Sequence, residues 1–212
     1  MDNERTIFWN VDTLVDFMRK EGGLYVPDAE LIEPALEAVT QTAKLYKIKV
    51  INTMDSHDYD SEEISTRPDF KTTFPRHGIP GSRGAEFIPA TKPKAPYVVD
   101  WRCSSLYERL VLLHRNIVLT KDHVNVFDNA HGSPHVYAVL ELLKPSRAFV
   151  YGVATNVCVD HTVRGLLERN NLEVLVISDA IKGLPGMPDP TESWKQSGVK
   201  LVESAHLEQY LR

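Results

Sequence analysis

The chain has 212 residues, with 24 Lys and Arg against 29 Asp and Glu, a formal net charge of −5 and 42% hydrophobic residues. This length suits one large domain with a sizeable core, which excludes disorder as the main state, and the acidic balance argues against a nucleic-acid partner. No apolar run reaches the roughly 18–20 residues of a membrane helix, so no membrane partner is expected. The start, MDNERTIF, lacks the pattern of a secretory signal, and Cys103 and Cys158 are too few for a disulfide framework. Both features point to the reducing cytoplasm, with any special cysteine reactive rather than structural.

In chain order, residues 6–12 (TIFWNVD) predict a buried strand, and 29–46 a helix opened by Pro27-Asp28. Residues 48–53 (IKVINT) predict a second strand. Residues 54–99 break the rhythm: rich in Pro, Gly and charge, they form a loop far longer than the usual connection of about 2–6 residues. A loop of this length in a compact domain is read as functional. A helix over 106–113 leads to a third strand at 117–120 (IVLT), and a helix over 134–143 takes Ser133 as its N-cap. Then come a strand at 148–153 (AFVYGV), a helix at 157–170, a strand at 174–178 (VLVIS) and a sixth at 199–202. Residues 191–196 and the Pro-rich stretch 92–96 fit no assignment. Continuous apolar strands alternating with amphipathic helices predict a single doubly wound α/β domain over 1–212. Its sheet is mostly parallel, with about six strands and helices on both faces.

Ligands of open parallel sheets bind outside the carboxyl ends of the strands. The polar residues with chemistry to offer fall there. Asp12 closes the first strand, Asp55 and His57 follow the second, Lys121 the third, and Cys158 the fourth at a predicted helix start. A helix N-terminus and a nearby lysine would lower the thiol pKa and make Cys158 a nucleophile; the alternative is a small buried hydrophobe. Asp12 is either a turn residue or a base for that thiol, and Lys121 either solvated or the cation between them. Asp16 is a capping residue. Asp55 and His57, two apart in extended chain, with His77 in the same long loop, offer O and N ligands for zinc, iron or manganese. Glu62 or Glu63 is the candidate fourth ligand; the alternative is a solvated polar loop. His131 and His135 are read as loop and cap residues, Cys103 as structural, and His114, His161 and His206 as helix or edge residues. His123, beside Lys121, is assigned no role.

The order Asp12, Lys121, Cys158 resembles the Asp-Lys-Cys triad of the isochorismatase-like cysteine hydrolases, above all their nicotinamidase branch. VDTLVDF at 11–17 resembles the family's D-x-Q-x-D-F, KDHVNVF at 121–127 its K-x-x-x-S-x-F, and GVATNVCV at 152–159 its nucleophile segment. Asp55, His57 and FPRHG at 74–78 resemble the branch's metal ligands, and GSRGAEF at 81–87 its G-T-x-G-A-x-F. The resemblance covers about residues 6–180. Leu14 stands where the family usually has Gln, and Asn125 where it has a small Ser or Thr, departures that bear on substrate more than on reaction class.

The resemblance implies hydrolysis of nicotinamide to nicotinic acid and ammonia through a Cys158 thioester, in NAD salvage. Asp12 would serve as base, with an oxyanion hole at the N–H groups of Ala154 and Cys158 beside a cis Val153-Ala154 bond. A divalent metal, zinc foremost with iron or manganese as alternatives, would sit at Asp55, His57 and His77 and orient the ring. Phe17 and Phe74 would line the substrate pocket, and the protein would be a homo-oligomer. Two other readings are weighed beside this one: an amidohydrolase of the same family acting on a ureido or carbamoyl compound, and a catalytically silent binding homologue.

Overall fold

The computed structural model describes residues 5–128 and 132–211; the reading of His131 lies outside them. Every residue of TIFWNV is buried, as expected of a central parallel strand covered on both faces, and this segment forms β1 (Thr6–Val11). The other strands are β2 (Lys49–Asp55), β3 (Tyr97–Val99), β4 (Asn116–Lys121), β5 (Arg147–Val153), β6 (Glu173–Lys182) and β7 (Lys200–Val202). They make one seven-stranded sheet in the order β3-β4-β2-β1-β5-β6-β7, all pairs parallel. The sheet thus has one strand more than the six expected. The addition is β3, whose three residues at the end of the long loop are too short to show a period.

Seven α-helices are described: α1 (Val15–Met18), α2 (Glu33–Leu45), α3 (Glu108–Leu113), α4 (Val136–Leu143), α5 (Asp160–Leu167), α6 (Thr191–Gln196) and α7 (Glu208–Leu211). The helix expected from 29 to 46 divides into a 3₁₀ turn, Ala29–Ile32, and α2, which carries a proline in its first turn. Ser133 is not the cap of α4. Its carbonyl, not its hydroxyl, takes the Val136 N–H at 3.0 Å, and the buried hydroxyl has no partner among the described residues. His135 stands at that helix start. The unassigned 191–196 is α6.

The two sheet faces carry separate cores. Phe8, Phe149, Leu36 and Val39 pack on one, and Trp9, Ile51, Val150 and Val163 on the other. Phe8 and Phe149 meet edge to face at 5.2 Å. The long loop is fastened by its own apolar anchors: Phe74, Phe87 and Ile88 are buried, with backbone bridges from Leu14 to Phe87 and from Ile64 to Phe74. No helix among the described residues is long and apolar enough to cross a membrane.

Candidate active site and metal cluster

Strand register brings the site together. β4, β2, β1 and β5 are consecutive in the sheet, Asp55 pairs with Lys121 in register, and Val11 pairs with both Thr53 and Gly152. β2 runs two residues and β4 one residue further than the sequence suggests, so Asp55 and Lys121 are their last residues. Asp12, just past β1, turns the chain with a left-handed φ of 47°. Gly152 has φ 122°, and a Cβ there would lie 2.0 Å from the Val11 carbonyl oxygen, so only glycine lets β5 close on β1 at this edge.

Lys121 is the hub. Its Nζ lies 3.0 Å from Asp12 Oδ2, 3.9 Å from Cys158 Sγ, and bonds Asp55 Oδ1 closely. All four groups are buried. The Asp12 contact is an ion pair too oblique to count as a hydrogen bond, while Asp12 Oδ1 accepts the Thr53 hydroxyl at 2.7 Å. Cys158 sits in a π-helical turn, Thr155–Val159, that runs into α5, and the Val153-Ala154 peptide before it is cis.

Burial in this cluster governs the charges. Burial pushes the Asp12 carboxyl up, and neighbouring Asp55 adds to this, against the pull of Lys121 and Thr53. Burial pushes Asp55 the same way, yet Lys121 and the imidazoles of His57 and His77 outweigh it and hold Asp55 well below its usual range. Burial alone would lower Lys121, but the two carboxylates raise it well above the ordinary lysine value. For Cys158 the expectation of a lowered thiol fails. Burial pushes the thiol well up, Lys121 opposes this, and Asp12 and Asp55 push it up again. The resting group is therefore a thiol that needs a base.

Beyond Asp55 the side chains change character. Asp55, His57 and His77 bring one ligand atom each to within 4.8 Å of one another, all buried. The two Nε2 atoms are 3.2 Å apart, and they lie 3.8 Å (His57) and 3.4 Å (His77) from Asp55 Oδ2. Each Nδ1 faces an acceptor on the far side: Asp122 Oδ1 at 2.9 Å for His57, the Pro75 carbonyl at 2.7 Å for His77. With the Nδ1 protons so engaged, both Nε2 lone pairs point inward at a carboxylate, a donor set that fits a divalent cation. Glu62 is exposed. Glu63 is buried, with Oε1 on the Val124 N–H at 2.9 Å and Oε2 unpartnered among the described residues, but it stands outside the compact three-residue set.

Cys158, Asp55 and His77 border one pocket of about 330 Å³ counted to its mouth. Phe17 and Phe74 line it, as do Ala154, Val157 and Leu184. Phe17 lies edge-on to His77 at 5.3 Å. The expected acid, amine, thiol, ligands and aromatics thus converge on one edge.

Residues 100–196 match the family model described as the isochorismatase domain, a stretch that holds Lys121 and Cys158. The fold is isochorismatase-like. Solved structures of similar fold span nearly the whole chain. One is N-carbamoylsarcosine amidase from Thermoplasma acidophilum, 22% identical over 94% of this chain and 96% of that one, TM-score 0.68. Pyrazinamidase of Pyrococcus horikoshii in complex with zinc is 22% identical over 94% and 99%, TM-score 0.70. A protein from L. infantum in complex with nicotinate is 21% identical over 97% and 96%, TM-score 0.72. No curated protein is a significant sequence match.

Several residues of the site escape a reading by motif. Asp122 reaches His57 from 65 positions away, and nothing local marks it. Thr53 is simply one of a strand's β-branched residues until its hydroxyl meets Asp12. Asp16 is more than a cap: its two oxygens take the N–H groups of Gly23 and Gly78, each at 2.9 Å, tying α1 to the loop that carries His77. Leu14 is buried in the core against Phe87 and does not line the pocket. Asn125 caps its own turn, accepting the Phe127 N–H at 3.0 Å. Cys103, read as structural, is exposed rather than packed as a small buried hydrophobe, because it falls in an irregular surface segment. His123 meets Glu63 at 3.4 Å.

Proposed function

We propose that this isochorismatase-like protein is a cysteine amidohydrolase that hydrolyses nicotinamide to nicotinic acid and ammonia. The observation that carries the reading is Lys121 Nζ 3.0 Å from Asp12 and 3.9 Å from Cys158, on the wall of a pocket that also holds the Asp55, His57 and His77 cluster. In this reading Asp12 takes the Cys158 thiol proton, and the sulfur attacks the carboxamide carbon. Lys121 keeps Asp12 ionisable and offsets the charge of the forming thiolate. Backbone N–H groups of Ala154 and Cys158 receive the oxyanion. The proton on Asp12 passes to the departing ammonia, leaving a thioester. Asp12 then deprotonates a water that cleaves it, and the sulfur leaves as the thiolate that recovers the proton.

Asp55, His57 and His77, with Glu63 as the candidate fourth ligand, would hold a divalent metal. Such an ion, zinc foremost, would supply an electrophilic contact to a ring nitrogen. Phe17 and Phe74 would sandwich or edge the ring, and Asp122 would hold His57 in its ligating orientation. A thiol nucleophile works where thiols stay reduced, which supports a cytoplasmic protein of NAD salvage. Exposed Leu112 on α3 and Val98 on edge strand β3 support a homo-oligomer.

A second substrate class stays in view because Leu14 turns into the core, so no side-chain amide from that position faces the pocket. The test is ammonia release from a panel of nicotinamide, pyrazinamide, ureidoacrylate and carbamoylated amines, with metal content measured on the same sample. Turnover of nicotinamide that Cys158→Ala abolishes, with the fold intact, is the expected result. Preference for a carbamoyl or ureido compound would move the reading to that class. No turnover of any of them, with Cys158 inert to alkylation at neutral pH, would make the protein a silent binding homologue.

A further inference from the structure

The sheet face that carries Phe8 is not apolar throughout. Asn52, Asn10 and Tyr151 lie side by side in register across β2, β1 and β5. Amides and phenols buried in such a face cost stability unless each polar atom has a partner. The asparagines meet that condition. Asn10 Nδ2 donates to Asn52 Oδ1 at 3.1 Å, Asn52 Nδ2 to the Ile117 carbonyl at 3.1 Å, and the Thr13 hydroxyl to Asn10 Oδ1 at 3.0 Å. Tyr151 does not. It is only 1% exposed, yet its hydroxyl makes no hydrogen bond to any described residue, and burial alone pushes its phenol up.

That phenol borders a groove, open to solvent, that shares no lining residue with the pocket at Cys158. α2 forms one wall and the Pro-rich stretch 89–95 the other, and Ile48 and Val50 make the floor apolar. The rim is cationic. Lys44, Lys47, Lys94 and Arg115 line it, all exposed and none with a carboxylate within 4.0 Å among the described residues. Glu37 is the one acidic side chain in the lining. In a chain of net charge −5, this is a local reversal of sign.

We propose that this groove is a second binding site, for an organic anion of nucleotide size. A flat group bearing a hydrogen-bond acceptor lies over Val50 and meets the Tyr151 hydroxyl, and a phosphate lies among the rim cations. The phenol selects for the flat group and the rim for the charge, so neither half alone suffices. The inference does not rest on the amidohydrolase reading. It also gives the Pro-rich stretch a role, as the wall that holds Lys94 over the groove.

The test is calorimetric titration of the full chain with AMP, adenosine and inorganic phosphate, at low and high salt. Saturable AMP binding that weakens with salt, with adenosine and phosphate each weaker by about tenfold or more, is expected. Lys44→Glu with Lys94→Glu should weaken AMP by at least about tenfold, and Tyr151→Phe by about three- to tenfold, with melting temperatures that show both fold. AMP binding that is absent, that matches phosphate alone, or that ignores both substitutions overturns the proposal. So does binding blocked by alkylation of Cys158, or a dimer that the Lys44→Glu, Lys94→Glu variant dissociates.

Discussion

The imidazoles of His57 and His77 face each other Nε2 to Nε2 at 3.2 Å, each ring anchored through its opposite nitrogen. Two inward lone pairs at that separation repel unless a proton or a cation lies between them. The carboxylate of Asp122 is what fixes the first ring, through a 2.9 Å contact to Nδ1. Asp122→Asn should therefore weaken zinc binding by about 10–100-fold, the usual effect of losing a partner behind a metal-bound histidine. Competition against a chelator reads this directly, without reference to turnover. Unchanged affinity would mean that Asp122 is a bystander.

Among the described residues Lys121 is the sole ammonium between two buried carboxylates, with Asp12 at 3.0 Å and Asp55 closer still. Removing it leaves Asp12 an uncompensated buried charge and Asp55 with only the imidazoles of His57 and His77 beside it. Lys121→Met should destabilise the fold by about 3–5 kcal/mol, the range for breaking a buried ion pair from one side. For a chain of this size that lowers the melting temperature by about 6–20 °C. Adding Asp12→Asn to the same chain should restore part of the loss. If the double variant is no more stable than the single one, the two charges are not coupled.

The acid limb of activity should report Asp12. Asp12 must be ionised to accept the thiol proton, and burial raises its carboxyl above the ordinary value of 3.8. Activity therefore falls as pH drops through that raised value, in a window above the ordinary carboxylate range. The stability sign is opposite. The native state keeps its proton to higher pH than the unfolded chain, so Asp12 costs stability as pH rises through its native pKa. Thr53→Val removes the 2.7 Å hydrogen bond that favours the carboxylate, and should move the acid limb further up. A limb that stays in place under Thr53→Val would assign it to another group.

These residues also mark what a sequence reveals. β1, β2, β4 and β5 were legible because each is a near-continuous apolar run, and the rule that chemistry gathers at strand ends then placed Asp12, Asp55, Lys121 and Cys158 together. Three-residue β3 carries no period, and α6 is too short for one. Asp122 and Thr53 act through partners fixed only by sheet order. The direction of the Cys158 shift was misread because a helix-start argument ignores burial. A thiol in a dry cluster with two acids and one base obeys desolvation first.

Gly84 tests how the loops are held around the pocket. A Cβ there would meet Asp16 Oδ1 at 2.2 Å and Cγ at 2.3 Å, with no room for the carboxylate to retreat. That carboxylate is pinned by the N–H groups of Gly23 and Gly78, and Gly78 follows His77. Gly84→Ala should cost about 1–3 kcal/mol, as overpacking does, and weaken metal binding by displacing the His77 loop. In an Asp16→Ala background the clash has no partner, so the same substitution should cost far less. Denaturant unfolding of the four chains in this cycle gives the coupling. Equal costs in both backgrounds would place the strain at Gly84 elsewhere than on Asp16.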